Sequence, residues 1–168
     1  LVGSEMCIRD REQTLRALNT IYDFVILDAG TSLMMPTSAA LQLSDAILLV
    51  ANPDVPCLRN LQRLIDAVKA SGVPGERLQI VLNRASEFGV LSTAQIERVL
   101  GLNISYSVNS DYRTVASAVN SGVPVSALRA SELNAQLDTI ARALASFREM
   151  TLERSDARHK SGVRAAAS

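Results

Sequence analysis

The stretch YDFVILDAGTS, Tyr22–Ser32, decides the fold. An apolar run there ends in Asp28 and is followed by small and hydroxylated residues. A short, continuous apolar run is typical of a strand that is buried on both faces, and we expect one at Phe24–Asp28. In an open α/β sheet, such a strand presents its last side chain at the carboxyl edge, where ligands bind. The stretch therefore predicts an α/β fold with Asp28 at a candidate site.

The same alternation continues outward from this stretch. Further apolar runs predict strands at Ala46–Ala51, Leu78–Leu82 and Ile104–Val108. Between and after them, apolar residues at helical spacing predict helices whose inward faces carry Leu58, Leu61, Leu64, Ile65 and Val68; Ile96, Val99 and Leu100; Val115 and Val119; and Leu133, Leu137, Ile140, Leu144 and Phe147. Strands that alternate with helices predict a mostly parallel sheet with helices on both faces.

The ends of these helices are readable in the sequence. Ser92–Gln95 is a capping box, and Gly101 closes the helix that it opens. Asp111 is suited to cap a helix that ends at Gly122, and Ser131 to cap the last one. These residues predict where the chain turns.

The chain is expected to have three parts. Residues 1–11 have no periodicity and resemble translated adaptor sequence, so we interpret them as a non-native leader. Residues 12–150 carry the alternating pattern and form the domain. Residues 151–168 have small and charged side chains without an apolar face, which predicts a disordered tail.

Composition excludes several classes of protein. Of the 168 residues 48% are hydrophobic and only 4% aromatic, which fits an aliphatic core. Seventeen basic and seventeen acidic residues balance, so nothing indicates nucleic-acid binding. No apolar stretch reaches the roughly 20 residues that an integral membrane helix needs. Cys7 and Cys57 lack metal-binding spacing and are interpreted as reduced cytosolic thiols.

Each candidate site residue has a structural and a functional interpretation. Asp28 is equally suited to cap a turn, with Thr31 or Ser32 starting a helix, or to orient Mg²⁺ beside phosphates. Asn83 and Arg84 follow the strand Leu78–Leu82. An asparagine amide offers both a donor and an acceptor to a purine edge, although satisfying loop backbone groups is the commoner role.

Taken in order, four stretches resemble the MinD/ParA group of P-loop ATPases. They are YDFVILDAG, LQLSDAILLVANPDVPCLRNLQRLIDAV, IVLNRAS and NSDYRTVASAVNSGVPV. The similarity is closest to the CpaE/TadZ branch, which assembles and positions Flp/Tad-type pili. It covers roughly residues 20–130 and implies the C-terminal part of a P-loop NTPase fold.

The resemblance also implies roles for individual residues. Asp28 matches the catalytic acid near the magnesium ion, and Asn83 matches the adenine contact, with Arg84 and Asp111 as further nucleotide-binding positions. The cofactors would be ATP and Mg. The loop that covers the base reads Asn109–Asp111 here and lacks the proline usual in the group.

The phosphate-binding half of such a site is not found in this sequence. The group's Gly-rich loop ends in Lys-Ser/Thr, but Lys69 lies in a helical pattern and Lys160 in the polar tail, and these are the only lysines. We therefore expect an N-terminally truncated fragment that neither hydrolyses ATP nor binds it tightly. The parent is expected to be a cytoplasmic ATPase, at the cell pole or the inner-membrane periphery, that dimerises with ATP and contacts pilus-secretion proteins.

Two alternatives remain open. One is a ParA/MinD-type positioning ATPase that acts on DNA or the division site. The other is a non-catalytic scaffold that keeps the fold for protein interactions.

Overall fold

The computed structural model describes residues 2–30, 40–86, 91–128 and 131–146. The helices and strands in these ranges are α1 (Val2–Ile21), α2 (40–43), β1 (Ile47–Ala51), α3 (Val55–Ala70), β2 (Leu78–Ala85), α4 (Thr93–Leu100), β3 (Ile104–Asn109), α5 (Tyr112–Ser121) and α6 (132–146). Short 3₁₀ turns lie at Gly75–Arg77 and Val125–Ala127. None of the helices in these ranges is both long and apolar enough to span a membrane.

The sheet has three strands in the order β1-β2-β3, and β2 pairs with β3 in parallel. Its strands match the predicted runs at Ala46–Ala51, Leu78–Leu82 and Ile104–Val108, although β2 extends three residues further. The predicted α/β fold with a parallel sheet is confirmed. The contacts divide the chain into two compact units, one within Leu1–Ile47 and Arg59–Leu78, the other within Leu48–Leu58 and Gln79–Ser168.

The second unit is packed on both faces of its sheet. On one face Val81, Val108 and Leu133 form a buried cluster, which joins β2 and β3 to α6. Side chains alternate along a strand, so Leu82 points to the opposite face. There it is 3% exposed and lines a small cavity with residues at the start of α4. Helices α4 and α6 therefore cover opposite faces, as the sequence predicts.

Hydrogen bonds between side chains and backbone N–H groups confirm the predicted helix caps. The Ser92 hydroxyl accepts from the Gln95 N–H at 3.3 Å, and Gln95 Oε1 accepts from the Ser92 N–H at 2.9 Å. Ser131 Oγ accepts from the Asn134 N–H at 3.2 Å at the start of α6. Gly101 follows α4 with φ +63°, a conformation that a residue without Cβ adopts most readily.

The predicted inward faces are partly wrong. In α3 the prediction is confirmed for Leu58, Leu61, Ile65 and Val68, which are buried, and Leu64 is half-buried. In α4 and α5 it is wrong for Val99, Val115 and Val119, which are 68%, 42% and 73% exposed; Ala118 is the buried residue of α5. Leu137 of α6 is also 42% exposed. Apolar spacing identifies one side of a helix, but burial requires another element to cover that side.

The predicted strand at Phe24–Asp28 is wrong. Residues 22–29 form neither helix nor strand and do not join the three-stranded sheet. Ile26 is 93% exposed, and Phe24 is 56% exposed. An apolar run has strand propensity, but a strand forms only where another strand supplies backbone hydrogen-bond partners.

Several predictions lie outside the described residues: the helix start at Thr31 or Ser32, the inward Phe147 and the polar tail. The leader interpretation of residues 1–11 stays a prediction; residues 2–11 are part of α1.

Candidate functional site at the carboxyl ends of β2 and β3

The end of β2 is distorted at the predicted site. Asn83 pairs with Val108 and Ala85 with Asn109, so that Arg84 is an extra residue on β2. Arg84 has φ +55°, the one positive φ among the described non-glycine residues. A bulge of this kind redirects side chains at the end of a strand, and a residue other than glycine is disfavoured in it. Strained backbone at a strand terminus is typical of functional sites.

Asn83 and Arg84 lie among the last residues of β2, which ends at Ala85, rather than at the start of a loop. Asn83 is half-buried, whereas Arg84 is exposed to solvent. A half-buried amide at this edge offers a donor and an acceptor within reach of a ligand. The geometry is therefore compatible with base recognition, which stays a prediction for both residues.

Asp111 lies beside this strand end because its loop is tied to β2. The Ser110 N–H donates to the Ala85 carbonyl at 3.3 Å. Asp111 caps α5: Oδ1 accepts from the Thr114 N–H at 3.0 Å, and Oδ2 accepts from the Thr114 hydroxyl at 2.5 Å. The structure thus brings together three of the four predicted site residues, Asn83, Arg84 and Asp111. The cap occupies both Asp111 oxygens, which favours a role in shaping the loop.

The environment of Asp111 lowers the pKa of its carboxyl group. The hydrogen bonds from the Thr114 side chain and backbone stabilise the charged form, and Arg113 adds electrostatic stabilisation. A folded-state pKa below the unfolded value means that the carboxylate contributes stability above pH of about 4. This contribution is lost as the pH falls through the lower, folded-state pKa.

The variant Asp111→Asn should expose this pH dependence. Asparagine keeps an acceptor oxygen for the cap but does not titrate. The native chain should therefore exceed the variant in unfolding free energy at neutral pH, and the difference should shrink below pH of about 4. Denaturant unfolding at several pH values measures it, with the exposed Asp45→Asn as control. A difference that is constant or grows on acidification would contradict the assignment.

The sequence does not predict a second cluster of polar side chains at this edge, formed by Asn109, Glu132 and Gln136. At the end of β3, the Asn109 N–H donates to Gln136 Oε1 at 2.8 Å, and Asn109 Nδ2 donates to Glu132 Oε1 at 2.8 Å. Gln136 Nε2 donates to the same Glu132 oxygen at 3.2 Å. Both partners lie on α6, more than 20 residues from Asn109, so local spacing gives no signal for them.

A cavity of about 240 Å³ lies near the end of β2. It is lined by Pro53, Leu82, Ala85, Ser86, Leu91, Ser92 and Thr93. Asn83, Arg84 and Asp111 are not among the lining residues. The cavity therefore adjoins the end of β2 through Leu82 and Ala85 without being lined by the predicted base contacts.

Asp28 belongs to the first unit, whereas Asn83, Arg84 and Asp111 belong to the second. Its Oδ1 accepts from the Gly30 N–H at 3.3 Å, and Gly30 has φ +65°. This is the turn-capping geometry that the sequence left open as the structural interpretation. The catalytic and metal-binding role of Asp28 stays a prediction.

The exposed carboxylate of Asp28 suits a magnesium ion that keeps most of its waters and takes phosphate oxygens as its other ligands. It does not fit an ion that is held by protein groups alone. Within the described ranges, no group of three or more His, Cys, Asp or Glu side chains is placed to hold a metal. The donor set thus suits Mg²⁺ that arrives with a nucleotide.

Comparison with known proteins gives the fold an identity. The septum site-determining protein MinD of Thermotoga maritima is 25% identical over 138 residues, 79% of this chain and 51% of that protein. The solved ParA family ATPase from Chlorobium tepidum has a TM-score of 0.70 and 26% identity over 74% of this chain and 52% of its own. Pyrococcus horikoshii MinD complexed with Mg-ADP has a TM-score of 0.59 and 20% identity over 85% and 56%. No protein-family model matches.

The chain spans about half the length of these proteins. Within that span it has the fold of the MinD/ParA-type P-loop ATPases, as its sequence predicts, with a parallel sheet and helices on both faces.

Proposed function

We propose that this chain supplies the base-side half of an ATP–Mg site in a MinD/ParA-type ATPase, and that the whole protein positions a cellular assembly. The observation that carries the proposal is that the bulged end of β2, with Asn83 and Arg84, lies at the same sheet edge as the loop Asn109–Asp111, to which the Ser110–Ala85 hydrogen bond ties it. In parallel α/β sheets, ligands bind at this edge. The similarity to MinD and ParA proteins supports a nucleotide as the ligand.

Within this site we assign the adenine contact to Asn83, with Arg84 and Asp111 shaping or contacting the nucleotide. Asp28 would act as the acid on the magnesium side, through water, when the whole protein holds a nucleotide. The similar MinD of Pyrococcus horikoshii was solved as a complex with Mg-ADP, which supports this cofactor class.

We assign the positioned assembly to Flp/Tad-type pili. The support is the resemblance of NPDVPCLRNLQRLIDAV and DYRTVASAVNSGVPV to the CpaE/TadZ branch. The whole protein would then form an ATP-dependent homodimer in the cytoplasm, at the cell pole or the inner-membrane periphery, and contact pilus-secretion proteins.

The similarity to a septum site-determining protein favours one alternative, the positioning of the division site. Placement of DNA is a related alternative, but the balance of seventeen basic and seventeen acidic residues does not favour it. A non-catalytic scaffold of the same fold is the third alternative.

Deletion of the encoding gene in its native organism separates these functions. We expect surface pili to disappear in electron micrographs, while septum placement and DNA content per cell stay normal. Misplaced septa would favour the division-site alternative, and cells without DNA would favour DNA positioning.

Complementation of the deletion strain then tests whether the proposed base contact is needed for pilus formation. Genes that encode the native protein or the exposed control Asn103→Ala should restore pili, whereas Asn83→Ala should not. Full restoration by Asn83→Ala would contradict the base contact and favour the scaffold.

A further inference from the structure

The carboxyl end of β3 is hydrogen-bonded to helix α6, a contact that the sequence does not predict. Strand β3 is an edge of the described sheet, so the Asn109 N–H that points away from β2 needs an acceptor. Gln136 Oε1 supplies it at 2.8 Å from α6. Because an amide nitrogen cannot accept a hydrogen bond, this contact also fixes which way the Gln136 amide is turned.

Glu132 completes the arrangement. A single oxygen, Oε1, accepts from Asn109 Nδ2 at 2.8 Å and from Gln136 Nε2 at 3.2 Å. Glu132 therefore holds the Asn109 side chain and orients the amide that holds the Asn109 backbone. Hydrogen bonds to a charged acceptor are stronger than neutral ones, so both orientations are well defined.

Asn109 begins the loop that reaches Asp111. On its other side this loop is tied to β2 by the Ser110–Ala85 hydrogen bond at 3.3 Å. The loop is thus fixed between the bulged end of β2 and α6. Any displacement of α6 would move the loop relative to Asn83, which lies across the strand pair from Val108.

We propose that Glu132 and Gln136 are positioning residues: through Asn109 they set the loop 109–111 beside Asn83 and so couple α6 to the nucleotide-base site. The link to a base rests on the function proposed above, whereas the positioning of the loop does not. A protein that binds or tilts α6 would change base affinity through these contacts.

Hydrogen exchange followed by NMR on the whole chain tests the positioning directly. In Gln136→Leu, exchange of the Asn109 amide should quicken by roughly tenfold, since the variant loses the oxygen that accepts from this amide. The Ile96 amide, in the capped first turn of α4, should keep its rate and report on global stability. Asp138→Asn, in an exposed ion pair of α6, is the matched control and should leave both amides unchanged.

A swapped double variant separates hydrogen bonding from general damage. Glu132→Gln with Gln136→Glu preserves the net charge and an acceptor for each Asn109 donor, so it should restore slow exchange at Asn109. The inference is overturned if Gln136→Leu changes Asn109 exchange by less than about twofold, or if the swap exchanges as fast as Gln136→Leu.

Saturation-transfer NMR measures binding of the base: each protein is saturated, and the signal that reaches the adenine protons of millimolar ATP is recorded. The signal should be present with the native chain, weaker with Gln136→Leu and restored by the swap. An equal signal from all three proteins would overturn the coupling to the base. No signal from the native chain, with Asn109 exchange responding as stated, would overturn the proposed function and leave the positioning of the loop supported.

Discussion

Ile80→Ala should lower the free energy of unfolding by about 2–5 kcal/mol, the range for removal of a large aliphatic side chain from a packed core. Ile80 is 1% exposed and lies in β2, the middle strand of the described sheet. Its loss removes apolar contacts and leaves a cavity that the surrounding side chains fill only partly. Domains of this size have total stabilities of about 5–15 kcal/mol, so the change is a large fraction of the whole.

A matched control is available in the same residue type. Ile26 is 93% exposed, so Ile26→Ala should change the unfolding free energy by no more than about 0.5 kcal/mol. Urea unfolding of the three proteins at neutral pH measures both effects. Similar large losses in the two variants would contradict the structure at Ile26 and favour the buried strand that the sequence predicts at Phe24–Asp28.

The sequence predicts best those features that a few adjacent residues determine. Ser92–Gln95 contains both partners of its capping box, and Asp111 is three residues from the Thr114 groups that it accepts from. The three runs that become β1, β2 and β3 are equally local, because a short continuous apolar segment favours a strand that is buried in the sheet. These features account for the order of elements and for the fold.

Features that depend on distant parts of the chain are predicted poorly. Val99 and Val119 have the spacing of core residues, yet the surrounding elements leave them exposed. The run Phe24–Asp28 has the composition of a strand but does not pair with the sheet. Arg84 is in a bulge only because β2 carries one residue more than β3 between two paired positions, and its own side chain gives no indication of this.

The candidate site shows the same division. The sequence predicts which polar residues lie at the strand ends, because parallel strands place their carboxyl ends along one edge. It does not predict the contacts of Asn109 with Glu132 and Gln136, since these join residues 23 and 27 positions apart. The sequence therefore identifies which side chains reach the edge, and the structure identifies what holds them there.

ATP should bind this chain no more than about fivefold more tightly than adenosine, because in water an exposed charge pair contributes only about 0–1 kcal/mol. The residues assigned to the nucleotide, Asn83 and Arg84, lie at the base end. A Gly-rich loop ending in Lys-Ser/Thr, which would bind the phosphates, does not occur in the sequence. Charge-assisted hydrogen bonds contribute about 1.5–3 kcal/mol each, so three phosphate contacts would correspond to at least a thousandfold in affinity.

Ligand-observed NMR titrations with adenosine and with ATP, each with and without Mg²⁺, measure this ratio. The two dissociation constants should lie close together and above the micromolar range, and Mg²⁺ should change neither, since Asp28 alone is a weak ligand for a hydrated ion. Asn83→Ala should weaken the binding of both ligands equally, and the exposed Asn103→Ala should weaken the binding of neither.

ATP binding a hundredfold tighter than adenosine would show that other groups in this chain bind phosphate. Arg84, exposed at the bulge beside the base contact, would then be the first residue to substitute, because a guanidinium binds phosphate oxygens in pairs.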